Sequence, residues 1–236
     1  MTPSDALSRF GLKHLLTQRA FWALQRKGFA ALGAVWAGMI RAMLELRIQQ
    51  HFIDSADLHY QLSETLAKPV DAAVQALLAS VTGGGKVLVA GVGASVALAQ
   101  YLTSLLVGGF ERERPGLAAL TLGADPVWAS GWQGDESLSR QVHALGQAGD
   151  VLVLLSAHGE EPALAQAVRA AHDRDMTALA ITGGAGGAVA RLLRETDVHV
   201  CVPHERAARV REVQQLVLHC LCDGIDTQLL GEQEPM

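Results

Sequence analysis

The sequence predicts an α/β fold of three layers, in which helices flank a doubly wound, five-stranded parallel sheet and further helices precede it. Five short runs are almost continuously apolar, as the strands of a parallel sheet covered on both faces must be. Segments with apolar residues at helical spacing alternate with these runs, and this alternation is typical of doubly wound sheets. We therefore expect strands at residues 86–90, 117–122, 151–155, 177–182 and 198–202.

The spacing of apolar residues and the residues at each end justify the helices. Between and after the strands, helices are expected at residues 95–106, 137–145, 162–174, 187–193 and 205–230. Before the sheet, apolar residues recur at helical spacing over residues 44–67. Pro69 is expected to begin a second helix, because proline is favoured at the first helical position, and Gly83 is expected to end it. The two helices would form a helical hairpin at the start of the main domain, residues 44–236.

Residues 1–43 are predicted to be a separate, basic amphipathic extension. Residues 1–50 carry seven basic and two acidic residues, a net charge of +5, whereas residues 51–236 carry twelve basic and twenty-two acidic residues, a net charge of −10. A basic helix with Trp and Phe can lie on an anionic membrane surface. The alternatives are a helix that packs on the body or on a partner subunit, a poorly ordered extension, or a natural start downstream, for example at Met43.

Composition excludes several classes of protein. Half of the residues are apolar and 18% are charged, which suits a sizeable core and not a disordered chain. The net charge of −5 gives no general case for direct nucleic-acid binding. No apolar run is long enough to predict a transmembrane segment. The three cysteines lack the second pair of a zinc site, and the N-terminus lacks the order of a secretory signal, so a cytoplasmic protein is expected.

The loop after the first strand reads Gly-Val-Gly-Ala-Ser, residues 91–95. Ligands of doubly wound sheets bind at the carboxyl ends of the strands, where this loop lies. A dinucleotide fingerprint would need glycine in place of Val96 and an acidic residue at the end of the next strand, and both are missing. Ser95 is expected to be the N-cap of the following helix, a phosphate ligand, or both.

The loop after the third strand reads Ser-Ala-His-Gly-Glu-Glu, residues 156–161. A helix N-terminus that follows a strand often holds a phosphate, but Glu160 and Glu161 would repel one. His158 beside two carboxylates would instead suit a cation or an amine. The alternative is that the two carboxylates only stabilise the start of the helix.

The last helix region is rich in polar side chains, namely His204, Arg206, Arg209, Arg211, Glu212 and His219. A Glu–His pair on this helix would form an acid/base couple. The alternative is surface charge together with a core histidine whose hydrogen bonds are satisfied.

Several motifs in order resemble one family. They are the glycine turn that ends at Ser95, "FERERPGL" at 110–117, "QVHALGQAGDVLVLLS" at 141–156, "RDMTALAITG" at 174–183 and "RVREVQQLVLHCLCDGID" at 209–226. Together they resemble the SIS (sugar isomerase) domain, in the phosphoheptose isomerase branch that includes the replication initiator-associating protein DiaA. The resemblance covers about residues 46–230 and not residues 1–43. It implies a five-stranded parallel sheet and N-terminal helices that build a homodimer or a homotetramer.

The resemblance also implies roles for single residues, many of which this chain has replaced. The family converts sedoheptulose 7-phosphate with a Glu and a His for proton transfer and a zinc site of His, Glu, Gln and His. Retained at family positions are the ligand-binding residues Ser95, Asp125, Ser156 and Gly159, and also His219. Tyr101 stands at a metal-binding His, Leu105 at the catalytic Glu, and Arg211 at the metal-binding Gln. Gly109 and Ala208 also replace polar residues of the family.

These replacements predict a SIS scaffold without heptose isomerase activity, without a cofactor and without a metal, because Leu105 cannot abstract a proton and His219 alone cannot hold zinc. We expect a regulatory or interaction protein, with a basic partner such as the replication initiator. Leu229 and Leu230, in "DTQLLGEQ", are the expected partner-binding residues. The alternatives are an active phosphoheptose isomerase, and a sugar-phosphate sensor that uses Ser95, Asp125, Ser156, His158 and Gly159.

Overall fold

A computed structural model describes residues 18–124 and 134–232. The first described element is helix α1, Gln18–Thr82, which is followed by strand β1, Val87–Gly91, and helix α2, Ser95–Gly108. The remaining elements, in chain order, are β2 (Ala119–Thr121), α3 (Ser137–Leu145), β3 (Val151–Leu155), α4 (Pro162–Asp173), β4 (Thr177–Gly183), α5 (Gly187–Ala190), β5 (Val198–Val202) and α6 (Ala207–Leu230).

The five strands form one parallel sheet in the order β2-β1-β3-β4-β5. The register pairs Gly91 at the end of β1 with Leu155 at the end of β3, and Leu155 with Ile181 of β4. The strand order reverses direction at β1, so the loops after β1 and β3 lie side by side at the carboxyl edge of the sheet. The predicted five-stranded parallel sheet is confirmed.

Each face of the sheet is covered by helices, and together they give the three expected layers. Val87 and Val89 point into a core shared with α1, α2 and α6. Leu88 and Ala90 point into a second core shared with α3 and α4. Successive side chains of a strand point to opposite faces, which is why β1 must be apolar at every one of these positions.

The expected break at Pro69 is wrong. Helix α1 continues through Pro69 to Thr82, so the two helices of the expected hairpin are one helix. An internal proline removes one backbone hydrogen bond and crowds the preceding turn. The apolar face stays in phase across it, however, with Leu62 and Leu66 before Pro69 and Ala73 and Leu77 after it, all buried in one core. This burial favours continuation of the helix.

The chain divides into two compact units, Met1–Ala56 and Asp57–Met236. The extension at residues 1–43 stays a prediction, and its first seventeen residues lie outside the described part of the chain. Among the described residues, no helix is long and apolar enough to cross a membrane. In the same part of the chain the three cysteines are free thiols.

Candidate functional site

The loop at residues 156–161 is closed by the hydroxyl group of Ser156. This hydroxyl accepts hydrogen bonds from the backbone N–H groups of His158, at 3.0 Å, and Gly159, at 2.6 Å. It donates a hydrogen bond to Oε2 of Glu161, at 2.6 Å. A serine hydroxyl has one hydrogen to donate and two lone pairs, so Ser156 has used its full capacity within the loop.

Gly159 fixes the path of this loop. Its φ of +74° lies in the left-handed region, which a side chain would strain. A Cβ atom there would also come within 2.1 Å of the carbonyl oxygen of Gly186. The predicted ligand-binding residues Ser156 and Gly159 therefore lie in the same loop. Ser156 is buried, and Gly159 packs against the loop after β4. The side chain of His158 is exposed.

Gln214 of α6 holds the start of the same loop by hydrogen bonds from within the core. Its Nε2 donates to the carbonyl oxygens of Ser156, at 2.7 Å, and Ile181, at 2.8 Å. The side chain is fully buried and joins α6 to the ends of β3 and β4. Gln214 was not among the predicted site residues. Its signal is a polar residue within the apolar face formed by Val210, Val213 and Val217.

Ser95 lies at the start of α2, beside the end of β1. Ser95 is 1% exposed. The N-cap residue is Ala94, with φ −67° and ψ −16°, and Ser95 is the first helical residue. The N-cap expectation for Ser95 is therefore wrong, because the turn at residues 91–94 already has helical geometry at Ala94. The role of a ligand for an anion stays a prediction.

His219 is held by two aromatic side chains. Its Nε2 lies 2.9 Å from the hydroxyl oxygen of Tyr101 on α2. The ring of Phe110 stacks on the imidazole with 5.4 Å between ring centroids, and the Tyr101 ring meets it edge-on at 5.7 Å. Tyr101 and His219 thus come together from α2 and α6. Phe110 was not predicted, although it begins the "FERERPGL" motif.

These residues do not fit a zinc site. The side chains at the family's ligand positions are a phenol, an aliphatic group, a guanidinium and one imidazole: Tyr101, Leu105, Arg211 and His219. Zinc prefers thiolate, imidazole and carboxylate ligands, and a guanidinium has no lone pair to give. Nε of Arg211 is buried and has no hydrogen-bond partner within the described residues. No cluster of three or more His, Cys, Asp or Glu side chains that suits a metal occurs among residues 18–124 and 134–232.

Glu212 and His219, the members of the expected Glu–His couple, each make a contact with another residue. Glu212 pairs with Arg209, three residues earlier on α6, and His219 pairs with Tyr101. His204 uses its Nδ1 to accept a hydrogen bond from the backbone N–H of Arg206, at 2.9 Å. These contacts are compatible with the alternative interpretation, in which Glu212 is surface charge and the hydrogen bonds of His219 are satisfied.

The remaining predictions concern Asp125 and the end of α6. Asp125 lies outside the described residues. Leu229 and Leu230, at the end of α6, are 39% and 41% exposed. The next carbonyl group, that of Gly231, accepts a hydrogen bond of 2.7 Å from Nη1 of Arg112. The end of α6 is therefore fixed to the loop after α2, and it presents two apolar side chains to solvent.

Comparison with known proteins places the chain in a family. The SIS domain family matches residues 50–183. The chain is 53% identical over 196 residues to a protein named phosphoheptose isomerase from Methylibium petroleiphilum, in a match that covers 81% of this chain and 98% of that protein. It is 45% identical over 192 residues to a protein of the same name from Azoarcus sp., which covers 80% of this chain and 98% of that protein.

Solved structures agree with this result. The structure of phosphoheptose isomerase GmhA from Neisseria gonorrhoeae superposes with a TM-score of 0.73 at 37% identity, over 78% of this chain and 99% of that one. A phosphoheptose isomerase from Francisella tularensis gives the same TM-score at 34% identity, over 77% of this chain and 97% of that one. Sequence and fold together show that the chain belongs to the SIS domain family, in its phosphoheptose isomerase branch.

Proposed function

We propose that this protein is a noncatalytic member of its family, a regulatory or interaction protein built on the phosphoheptose isomerase scaffold. One observation carries the proposal. The hydroxyl of Tyr101 is hydrogen-bonded to Nε2 of His219, with Leu105 one turn further along α2. Aldose–ketose isomerisation moves a proton between neighbouring carbons and needs a general base near its substrate. Leu105 has no ionisable group, and the nitrogen of His219 that faces α2 is already bonded.

The other ionisable side chains nearby do not offer a replacement base. Glu212 is paired with Arg209. His204 is bonded to the backbone two residues on, and His158 is exposed at the rim of its loop. A relocated base must be within hydrogen-bond reach of the substrate carbon that it deprotonates, in a site that excludes bulk water. These contacts therefore support a loss of catalysis.

For the partner, we propose a basic protein such as the replication initiator. Residues 51–236 carry a net charge of −10, which would attract a basic partner and speed its association. Leu229 and Leu230 supply exposed apolar contacts at the end of α6, and Arg112 holds the following carbonyl in place. Apolar anchors surrounded by charged surface are typical of transient protein–protein interfaces.

Turnover of sedoheptulose 7-phosphate tests the loss of catalysis. The phosphoheptose isomerase of Neisseria gonorrhoeae serves as the positive control, and the assay is run with and without added zinc. We expect product formation by this protein to equal the protein-free blank. Turnover that scales with protein concentration would overturn the proposal and leave the active isomerase as the correct alternative.

A binding experiment with purified replication initiator tests the partner. The double variant Leu229→Ser/Leu230→Ser should lose binding, while Leu216→Ser on the same helix, at a site 46% exposed, should keep it. Equal binding by all three proteins would exclude the end of α6 as the contact. No binding by the unmodified protein would exclude this partner but not a noncatalytic role.

The sugar-phosphate sensor is tested by thermal unfolding with a panel of sugar phosphates. Ser95 favours this alternative, because it is 1% exposed and follows strand β1, whose end pairs with the end of β3 before Ser156. A ligand at one hundred times its Kd adds about 2.7 kcal/mol to the free energy of unfolding. A rise in the midpoint with a sugar phosphate, and without turnover, would identify the protein as a sensor.

A further inference from the structure

The loop at residues 156–161 binds a carboxylate of its own chain. Oε2 of Glu161 accepts the hydroxyl hydrogen of Ser156, at 2.6 Å. Glu161 is the last residue before α4, with an extended backbone at φ −71° and ψ 120°, and its side chain makes no capping hydrogen bond to the helix. The carboxylate is therefore held by the hydroxyl group and by the positive end of the helix dipole.

The same two features would attract a phosphate. Helix N-termini with a neighbouring serine hydroxyl are common anion sites, since backbone N–H groups and the dipole face the ligand. Ser95 adds a second hydroxyl group at the neighbouring strand end. Ser95 is 1% exposed. The register of Gly91 with Leu155 places the two loops next to each other.

The loop cannot easily turn Ser156 away from Glu161. The backbone N–H groups of His158 and Gly159 hold both lone-pair sides of the hydroxyl, so its only hydrogen is directed at the carboxylate. Gln214 holds the carbonyl oxygen of Ser156 from within the core. An incoming anion would meet a negative charge and find the serine donor in use.

Glu160 is a weaker contributor. Its carboxylate lies 3.6 Å from Nη2 of Arg191, and both side chains are mostly exposed. Water and salt screen a charge in this position, and a nearby guanidinium offsets it further. The two adjacent glutamates thus differ in their surroundings, and this difference allows one to serve as the control for the other.

We propose that Glu161 is the specificity-determining residue of this loop, a built-in anion that excludes phosphate ligands. The inference goes beyond the proposed function, because it concerns the class of ligand that the loop accepts and not whether the protein is catalytic. The expected result is a gain of phosphate binding, because Glu161→Gln removes the negative charge and Glu161→Ser removes both the charge and the long side chain that accepts the hydroxyl hydrogen of Ser156.

Isothermal titration calorimetry with inorganic phosphate, at pH 7.5 and constant ionic strength, tests the inference. The proteins are the unmodified chain, Glu161→Gln, Glu161→Ser and the matched control Glu160→Gln. We expect both variants at position 161 to bind phosphate at least about tenfold more tightly than the unmodified protein, as removal of a like charge at close range implies. The Glu160→Gln variant should stay within about threefold of it, because its charge is screened.

Three results would overturn the inference: equal affinities in all four proteins, an equal gain in Glu160→Gln, or phosphate binding by the unmodified chain as tight as in Glu161→Gln. Circular dichroism verifies the fold of each variant, and Glu161→Gln keeps the test valid where the smaller serine destabilises the loop. Equal phosphate affinities would overturn this inference and leave the proposed function in place. Turnover in the isomerase assay would overturn the proposed function, but it would not show how the phosphate affinities of the four proteins differ.

Discussion

The hydroxyl oxygen of Tyr101 lies 2.9 Å from Nε2 of His219, although the two residues are 118 positions apart in the chain. The contact joins α2 to α6 at the place where the family's metal-binding residues would meet. A phenol and an imidazole that bond to each other stabilise the helix pair and offer no open coordination position. The aromatic ring of Phe110 completes the packing around the imidazole.

Tyr101→Phe should lower the free energy of unfolding by about 1 kcal/mol, because it removes one partly buried hydrogen bond and keeps the ring. Tyr60→Phe is the matched control, since Tyr60 is 84% exposed and its substitution should leave stability unchanged. Urea unfolding followed by circular dichroism measures both. A Tyr101→Phe protein as stable as the control would mean that the hydroxyl contact contributes nothing.

Gln214→Ala should be more costly, at about 2–4 kcal/mol. It removes the side-chain donor to the carbonyl groups of Ser156 and Ile181, of which the second keeps the backbone N–H of Ser156 as a donor, and it opens a cavity. Gln215→Ala, at the exposed neighbouring position on α6, should change stability little. The same unfolding experiment compares the two, and similar midpoints for both variants would show that Gln214 does not anchor the loop.

Arg114→Ala should destabilise the protein by about 3–5 kcal/mol, because it leaves the carboxylate of Asp226 buried without its cation. Nε of Arg114 lies 2.5 Å from Oδ1 of Asp226, both side chains are 1% exposed, and the guanidinium also donates to the carbonyl groups of Leu105 and Leu106. Arg140→Ala disrupts the exposed pair with Glu136 and should cost less than about 1 kcal/mol. Equal losses in the two variants would contradict the buried role.

Stability should fall as the pH falls below about 6.5, in part because of His199. Burial lowers the pKa of His199 from its ordinary value of 6.5, and its Nε2 lies 2.8 Å from the hydroxyl of Thr182. As the pH falls through about 6.5, His199 is protonated in the unfolded chain but not yet in the folded chain. The contribution of His199 to the free energy of unfolding is therefore fully present above that pH and is lost as the pH falls towards the folded pKa.

The measurement is the difference in unfolding free energy between pH 7.5 and pH 5.5. His199→Gln should show a smaller loss on acidification than the unmodified protein, while His143→Gln, at an exposed position, should show the same loss. An identical pH dependence in all three proteins would contradict the assigned role of His199.

Much of the fold follows from local sequence. The strand at residues 151–155 was predicted with the observed bounds, and so was the helix at residues 137–145, because apolar runs and helical spacing are local patterns. The second strand is shorter than predicted, Ala119–Thr121, since it lies at the edge of the sheet and has one neighbour to pair with. The helix through Pro69 was missed because the burial of residues on both sides of a proline is a tertiary effect.

The sequence by itself determined the doubly wound sheet, and its resemblance to the family gave the expectation that Tyr101 and Leu105 stand in place of a His and a Glu. Only the tertiary structure decided which groups are already bonded. Ser156 to Glu161 is a contact within one loop, yet its geometry depends on Gln214 of α6, and His219 meets Tyr101 across two helices. A sequence pattern records residue type and spacing, whereas hydrogen-bond partners depend on the distances that packing sets.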